Sequence, residues 1–228
     1  MRTFFITIIF FLFATCTWSQ QLSQITFSDA ANLSYFSFLV DQTILIRVTD
    51  QGKILEWGTE IQSVRSSGYY NPKLQPYIGR VEYYGQDADS AFRGKVRSIG
   101  TCTITYYGHY EEATKVGKLR SLGTLQMDYY SNFDNIAFRG KLRFAGSQVL
   151  EYYPSLADEA YKGKLKTVGT TPITYYSTFD DKLIKGKIKS IGSVAYTWYT
   201  SYDRSELRGA LKTGSYRAPI GSVTYILR

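Results

Sequence analysis

The chain has 228 residues, 44% of them hydrophobic and 16% aromatic, and 27 basic against 19 acidic residues give it a formal charge of +8. It is long enough for one core and no Pro/Ser linker divides it, while its single histidine and two cysteines come without zinc-ligand spacing, phosphate-binding glycine loop or dinucleotide fingerprint. The basic excess points toward anionic partners, not toward any one fold.

Residues 1–19 read as a secretory signal peptide: Arg2, the apolar run Phe4 to Phe13, then Thr17 and Ser19 flanking Trp18. The run is too short to span a bilayer, so no transmembrane helix is expected after cleavage. Cleavage after Ser19 starts the mature chain at Gln20 and places it in the periplasm, at the cell surface or outside the cell. The rival reading, a lipid on Cys16, needs a lipobox that Phe13-Ala14-Thr15 does not supply. Without Arg2 the mature chain keeps 26 basic and 19 acidic residues, a formal +7, and one cysteine, Cys102. One cysteine makes no internal disulfide, so packing alone must hold this exported fold, with Cys102 as a small buried apolar residue.

Residues 20–93 form an N-terminal capping β region with irregular repeats. Only Asp29-Ala30-Ala31-Asn32-Leu33 hints at a helix. Thr43 to Thr49 alternates as a strand, Asp50-Gln51-Gly52 turns, and Lys53-Ile54-Leu55-Glu56-Trp57 returns as an imperfect first copy of the later unit. Tyr69-Tyr70 and Gly79-Arg80-Val81-Glu82-Tyr83-Tyr84 continue the grammar, with Pro72 and Pro76 in a surface connection.

Residues 94–228 are regular repeats of 23 residues with a displaced C-terminal strand. A Gly-Lys-aliphatic-basic phrase starts at Gly94, Gly117, Gly140, Gly163 and Gly186, degenerates at Gly209, and is followed by aromatic doublets from Tyr106-Tyr107 to Trp198-Tyr199. Such a period means one supersecondary unit stacked on its own copies. Gly100-Thr101 and its equivalents suit type II′ hairpin turns, which set Ile99 opposite Cys102 and Leu122 opposite Leu125. Strict alternation then puts Lys95, Arg97, Ile99, Cys102, Ile104 and Tyr106 on one face, leaving neither face cleanly apolar. The expected fold is all-β: an antiparallel meander of hairpins in an extended or curled sheet. The alternative, a parallel β-solenoid, stacks the repeated lysines about 4.8 Å apart, at a cost of roughly 1 kcal/mol per neighbouring pair even in water. In the meander each lysine meets a tyrosine across the strand instead. The final Ile220-Gly221-Ser222-Val223-Thr224-Tyr225 copies Ile191 to Tyr196 after an insertion.

The loops between hairpins repeat an aromatic or Leu at Tyr110, Phe133, Leu156, Phe179 and Tyr202, near Glu111, Asp134, Asp158, Asp180 and Asp203. The simplest reading is a structural plug that pins each loop beside a solvated carboxylate; the other is a row of equivalent ligand contacts.

Repetition yields like residues, whereas catalysis needs unlike ones, so no catalytic, cofactor or metal residues are assigned. His109 reads as a loop residue, and Asp87-Ala88-Asp89-Ser90 lacks the Gly and distal Glu of a calcium loop. The expected function is a non-catalytic scaffold or interaction surface of the cell envelope or exterior. Its candidate binding face carries Lys118, Arg120, Lys141, Arg143, Lys164, Lys166, Lys187 and Lys189, interleaved with Tyr129, Tyr152, Tyr175 and Trp198, and its partners are anionic polysaccharide or cell-surface components. Nucleic acid would feel the same field without a specific readout. The rival readings are an outer-membrane β-barrel, against which the lysines on every first strand argue, and an enzyme of unrecognised type.

The Gly-Lys-Leu-Lys-Ser-Ile-Gly-Ser type of phrase and the Ile-Thr-Tyr-Tyr phrase resemble those of uncharacterised secreted tyrosine-rich repeat proteins of Bacteroidota, over most of the mature chain. That resemblance implies export and a repeated β fold, and no activity. Asp50-Gln51-Gly52-Lys53-Ile54 is distantly similar to the core of YD repeats, and the Gly-Lys hairpin to MORN repeats.

Overall fold

The computed structural model describes residues 20–41, 43–60 and 74–228. The signal peptide read in residues 1–19, with Cys16, and the Tyr69-Tyr70 and Pro72 stretch lie outside the described residues. The N-terminal strands are β1 (Gln21–Ser28), β2 (Asn32–Val40), β3 (Ile44–Val48), β4 (Ile54–Glu60) and β5 (Leu74–Pro76). The hairpin array follows as β6 (Val81–Tyr83), β7 (Val96–Ile99), β8 (Cys102–Tyr106), β9 (Leu119–Leu122), β10 (Leu125–Tyr129), β11 (Leu142–Ala145), β12 (Gln148–Tyr152), β13 (Leu165–Val168), β14 (Thr171–Tyr175), β15 (Ile188–Ile191) and β16 (Val194–Ala195). The chain ends with β17 (Thr197–Trp198), β18 (Leu211–Thr213), β19 (Arg217–Ile220) and β20 (Val223–Leu227).

Strands β6 to β16 form one 11-stranded sheet in which every strand pairs with its chain neighbours, and β17 and β18 pair beside it. The pairings in the array are antiparallel, so this is the meander and not the solenoid. Its edge strands β6 and β16 do not meet, which leaves the sheet open instead of closed as a barrel. No helix among the described residues is long and apolar enough to cross a membrane. The turns fall where the Gly-first pairs put them: Ile99 lies opposite Cys102 and Leu122 opposite Leu125. The five turn glycines from Gly100 to Gly192 have φ between 54° and 60°, and the residue after each does not, which is the type II′ requirement.

The face assignment needs one correction. Register slips at the start of every first strand: Thr105 pairs with Ser121 but Tyr106 pairs with Leu119, which leaves Arg120 as an extra, bulged residue. The same slip skips Arg97, Arg143, Lys166, Lys189 and Lys212. A β-bulge restarts the alternation, so Leu119 and Leu122, three residues apart, both point inward while Arg120 points out. Arg97, expected beside Ile99, is therefore exposed. One face of the sheet becomes predominantly apolar: Leu119, Leu122, Leu142, Leu150, Leu165, Ile173, Ile188 and Ile191 are wholly buried.

A second sheet covers that apolar face. Its order is β19-β20-β1-β2-β3-β4-β5, so the C-terminal hairpin joins the N-terminal strands through a parallel β1–β20 pair. Along β2, Phe36, Phe38 and Val40 enter the core shared with the long sheet. The change of sheet falls between Pro76 and Val81. The hint of a helix at Asp29–Leu33 resolves into a tight turn, with Asp29 and Ala30 at φ 51° and 49°. This turn and the Asp50-Gln51-Gly52 turn reach the array: the N–H of Ile188 donates to the Ala30 carbonyl (2.8 Å) and that of Leu142 to the Asp50 carbonyl (2.7 Å).

Candidate binding surface

The twelve basic and aromatic residues of the candidate face divide between the two sides of the sheet. Lys118, Lys141, Lys164 and Lys187 turn inward together with Tyr129, Tyr152, Tyr175 and Trp198. Each ammonium sits over the ring eleven residues on, at 5.0, 5.1, 5.2 and 4.5 Å from its centre. Each also donates to the carbonyl of the glycine that opens the next repeat, as Lys141 does to Gly163 (2.8 Å) and Lys164 to Gly186 (2.7 Å). Such charge-assisted bonds, with a ring below, replace the water that a half-buried cation loses.

The rings themselves are buried, from 1% exposed at Tyr129 to 6% at Tyr175. Their polar ends donate back to the bulge: Tyr129, Tyr152 and Tyr175 to the carbonyls of Leu119, Leu142 and Leu165, and the Trp198 indole to Ile188. Burial raises the pKa of all three tyrosines well above the usual phenol value. Burial also lowers the pKa of Lys118, Lys164 and Lys187, against nearby Asp50 for Lys118 and Asp29 for Lys187. Lys141 pairs with Asp50 at 3.3 Å. These eight residues are buried or half-buried parts of the fold.

The Gly-Lys phrase has the same origin. Gly117 has φ 72°, and a Cβ there would lie 2.8 Å from the Ala91 carbonyl oxygen and 2.9 Å from Lys95 Nζ. Only glycine fits where the preceding repeat parks its lysine.

Arg120, Arg143, Lys166 and Lys189 occupy the other side. Arg97 and Lys212, absent from the sequence assignment, extend the row to six at the same 23-residue interval. All six are the bulged residue of their strand and exposed. Four lie over the second tyrosine of a doublet: Arg120 over Tyr107 (5.6 Å), Arg143 over Tyr130 (5.8 Å), Lys189 over Tyr176 (5.7 Å) and Lys212 over Tyr199 (5.3 Å). Those tyrosines are fixed in turn, since the Tyr107 and Tyr130 hydroxyls donate to the carbonyls of Met127 and Leu150, twenty residues on. Carboxylates approach three of the cations only at 3.9 Å: Glu111 at Arg120, Glu151 at Lys166 and Asp203 at Lys212. Exposed pairs of this kind contribute about 0.2–1 kcal/mol and leave the cations available. Arg97, Arg143 and Lys189 form no ion pair among the described residues.

The loops differ from the plug reading. Tyr110, Phe133, Leu156, Phe179 and Tyr202 are 92–97% exposed and plug nothing. The apolar contact comes five residues later, where Phe138 packs on Tyr130 (4.6 Å) and Tyr161 on Tyr153 (4.7 Å). The nearby carboxylates staple loops together. Asp158 accepts from the N–H of Ala160 in its own loop and of Thr178 in the next, and Asp181 does the same with Leu183 and Ser201. Asp89 accepts from Ala91 and from both the N–H and ring of His109, which hold its pKa down at about 2. That carboxylate, the one read against a calcium loop, is thus occupied. Burial, with Asp41 adding, pushes the Cys102 thiol up to about 11, so little thiolate exists at neutral pH. No group of three His, Cys, Asp or Glu suited to a metal occurs among the described residues.

Comparison with family models, curated proteins and solved structures gives no match.

Proposed function

We propose that this chain is an exported, non-catalytic scaffold whose outer sheet face binds an anionic polysaccharide. The observation that carries the reading is the row Arg97, Arg120, Arg143, Lys166, Lys189 and Lys212, one exposed cation per repeat, each placed by a bulge. Successive cations lie two strands apart, about 9.6 Å, so their fields overlap within a Debye length of about 8–10 Å. Two sugars of an extended chain span a similar distance, so a polymer with an acidic group on every sugar presents at least one to the cation of each repeat. A row of like charge raises local anion concentration and association rate without needing a pocket. Export rests on the Arg2, apolar-run and Ser19 pattern of the leader.

The test is binding of polygalacturonate to residues 20–228 at low ionic strength. Wild type should bind, with affinity falling steeply on adding salt. Arg120→Glu, Arg143→Glu and Lys189→Glu combined should lower affinity at least about tenfold without changing the melting temperature, since all three are exposed. Binding that ignores both salt and the triple substitution would overturn the reading.

A further inference from the structure

We infer that the loop edge of the array is a second binding site, in which Tyr110, Phe133, Leu156, Phe179 and Tyr202 take successive ring faces of a neutral β-1,4-linked glycan. This goes beyond the charged face: it uses a different surface and different chemistry.

The five side chains share one loop position at 23-residue spacing, and each is 92–97% exposed. Full exposure of a large apolar side chain in five consecutive repeats serves no packing, because the loop contact is already made by residues such as Phe138 and Tyr161. The loops also fix the backbone that carries these tips. Beside Phe133, Ser131 and Asp134 close the turn, with the N–H of Phe133 donating to Ser131 Oγ (3.2 Å); Phe179 repeats this with Ser177 (3.3 Å). Neighbouring loops are tied by Asn135 to Ser155 and Asp158 to Thr178. With the backbone fixed in advance, only the few side-chain torsions of each tip remain to be ordered by a ligand.

The chemistry of the row selects the ligand. Tips in adjacent repeats lie two strands apart, about 9.6 Å along the array. In an extended β-1,4-linked chain each sugar is turned over relative to the last, so one ring face recurs every second sugar, at a comparable distance. The apolar C–H face of a sugar stacks on an aromatic ring, and four of the five tips are aromatic. Leu156 offers an apolar surface without the ring. Each tip is almost wholly in water, Tyr110 alone resting on a neighbouring ring, that of His109 (3.6 Å), and at about 9.6 Å spacing the row offers separate stacking points and not the broad apolar area by which a folded partner or a bilayer is held. The nearby carboxylates of Asp158 and Asp181 are engaged by loop N–H groups. Nothing in the row demands a charged sugar.

The experiment is native affinity electrophoresis of residues 20–228 through hydroxyethylcellulose, with dextran, whose α-1,6 linkages present no such recurring face, as control. Wild type should be retarded by hydroxyethylcellulose and not by dextran. Phe133→Ser with Phe179→Ser should weaken retardation about tenfold, and Leu156→Trp should strengthen it, with thermal unfolding unchanged in both. The outer-face triple glutamate variant should be retarded like wild type, which separates this site from the charged one. Equal retardation by dextran, no retardation, or no response to the tip substitutions would overturn the proposal. So would tip-dependent binding to phosphatidylcholine vesicles, or tip-dependent self-association in sedimentation, in place of glycan binding.

Discussion

Two rows of cations run along the array, one just before each first strand and the other two residues on within it, and they live in opposite environments. Lys118, Lys141, Lys164 and Lys187 lie half-buried on aromatic rings with their ammonium groups bonded to glycine carbonyls, whereas Arg120, Arg143, Lys166 and Lys189 stand in water on the outer face. The difference is made by backbone alone. The bulge sends Arg120 outward between the inward Leu119 and Leu122, whereas Lys118 precedes the strand on the turn opened by Gly117 (φ 72°) and so escapes strand alternation. Identical charge therefore serves cohesion between repeats in one row and remains available in the other.

The largest break in the inner row is expected at its rings. Tyr152 is 4% exposed, beneath Lys141, with its hydroxyl on the Leu142 carbonyl. Tyr152→Ala should cost about 3–5 kcal/mol in urea unfolding, through the cavity it leaves. Tyr152→Phe keeps the ring and drops one hydrogen bond, about 1 kcal/mol.

Next comes the lysine itself. Lys141→Ala removes the bond to Gly163 and the partner of Asp50, and should cost about 1–2 kcal/mol given the group's partial exposure. Lys141→Met, whose stem still covers the Tyr152 ring, should recover part of that loss. Arg143→Ala, two residues on, should change stability by less than about 0.5 kcal/mol.

The smallest effect belongs to the loop staples and sharpens the contrast with the core. Asp89, Asp158, Asp181 and Asp203 all have lowered pKa values, caused first by Ala91 N–H, Ala160 N–H, the Ser201 hydroxyl and Thr200 N–H respectively. A depressed folded-state pKa stabilises the loops fully above the ordinary carboxylate value, about 4, and that contribution is lost as pH falls through the lowered values, to about 2 for Asp89. Amide protection factors, taken relative to the intrinsic rate at each pH, should therefore fall at Ala91, Ala160 and Leu183 between about pH 4 and 2 while Leu119 and Leu142 in the strands stay protected. Uniform loss of protection would contradict the staple account.

The period, the Gly-first turns and the lysine-on-tyrosine contact were all legible in the sequence, because each is a short-range relation repeated without gaps. The bulge was not, since counting alternate residues assumes that none is inserted. Its signal was present nonetheless: Val96 and Ile99, Leu119 and Leu122, and Ile188 and Ile191 are apolar pairs three apart, which one face of a regular strand cannot hold. Missing it merged the two cation rows into a single candidate face and placed Tyr129, Tyr152, Tyr175 and Trp198 where a ligand would need them exposed. The covering sheet was also hidden, because β1–β5 and β19–β20 come from opposite ends of the chain and no local pattern joins them. In the loops, Phe133 and Phe138 look equally apolar in sequence, and only the hairpin geometry decides that the second packs and the first does not.

The most direct test of the division between the rows is the slope of log affinity for polygalacturonate against log salt, measured with the melting temperature for one variant of each row. Arg143→Ala should flatten the slope and leave the melting temperature unchanged, because it removes a cation that meets the polymer; Lys141→Met should lower the melting temperature and leave the slope as in wild type. Equal slopes in the two variants, or a flatter slope for Lys141→Met than for Arg143→Ala, would contradict the account.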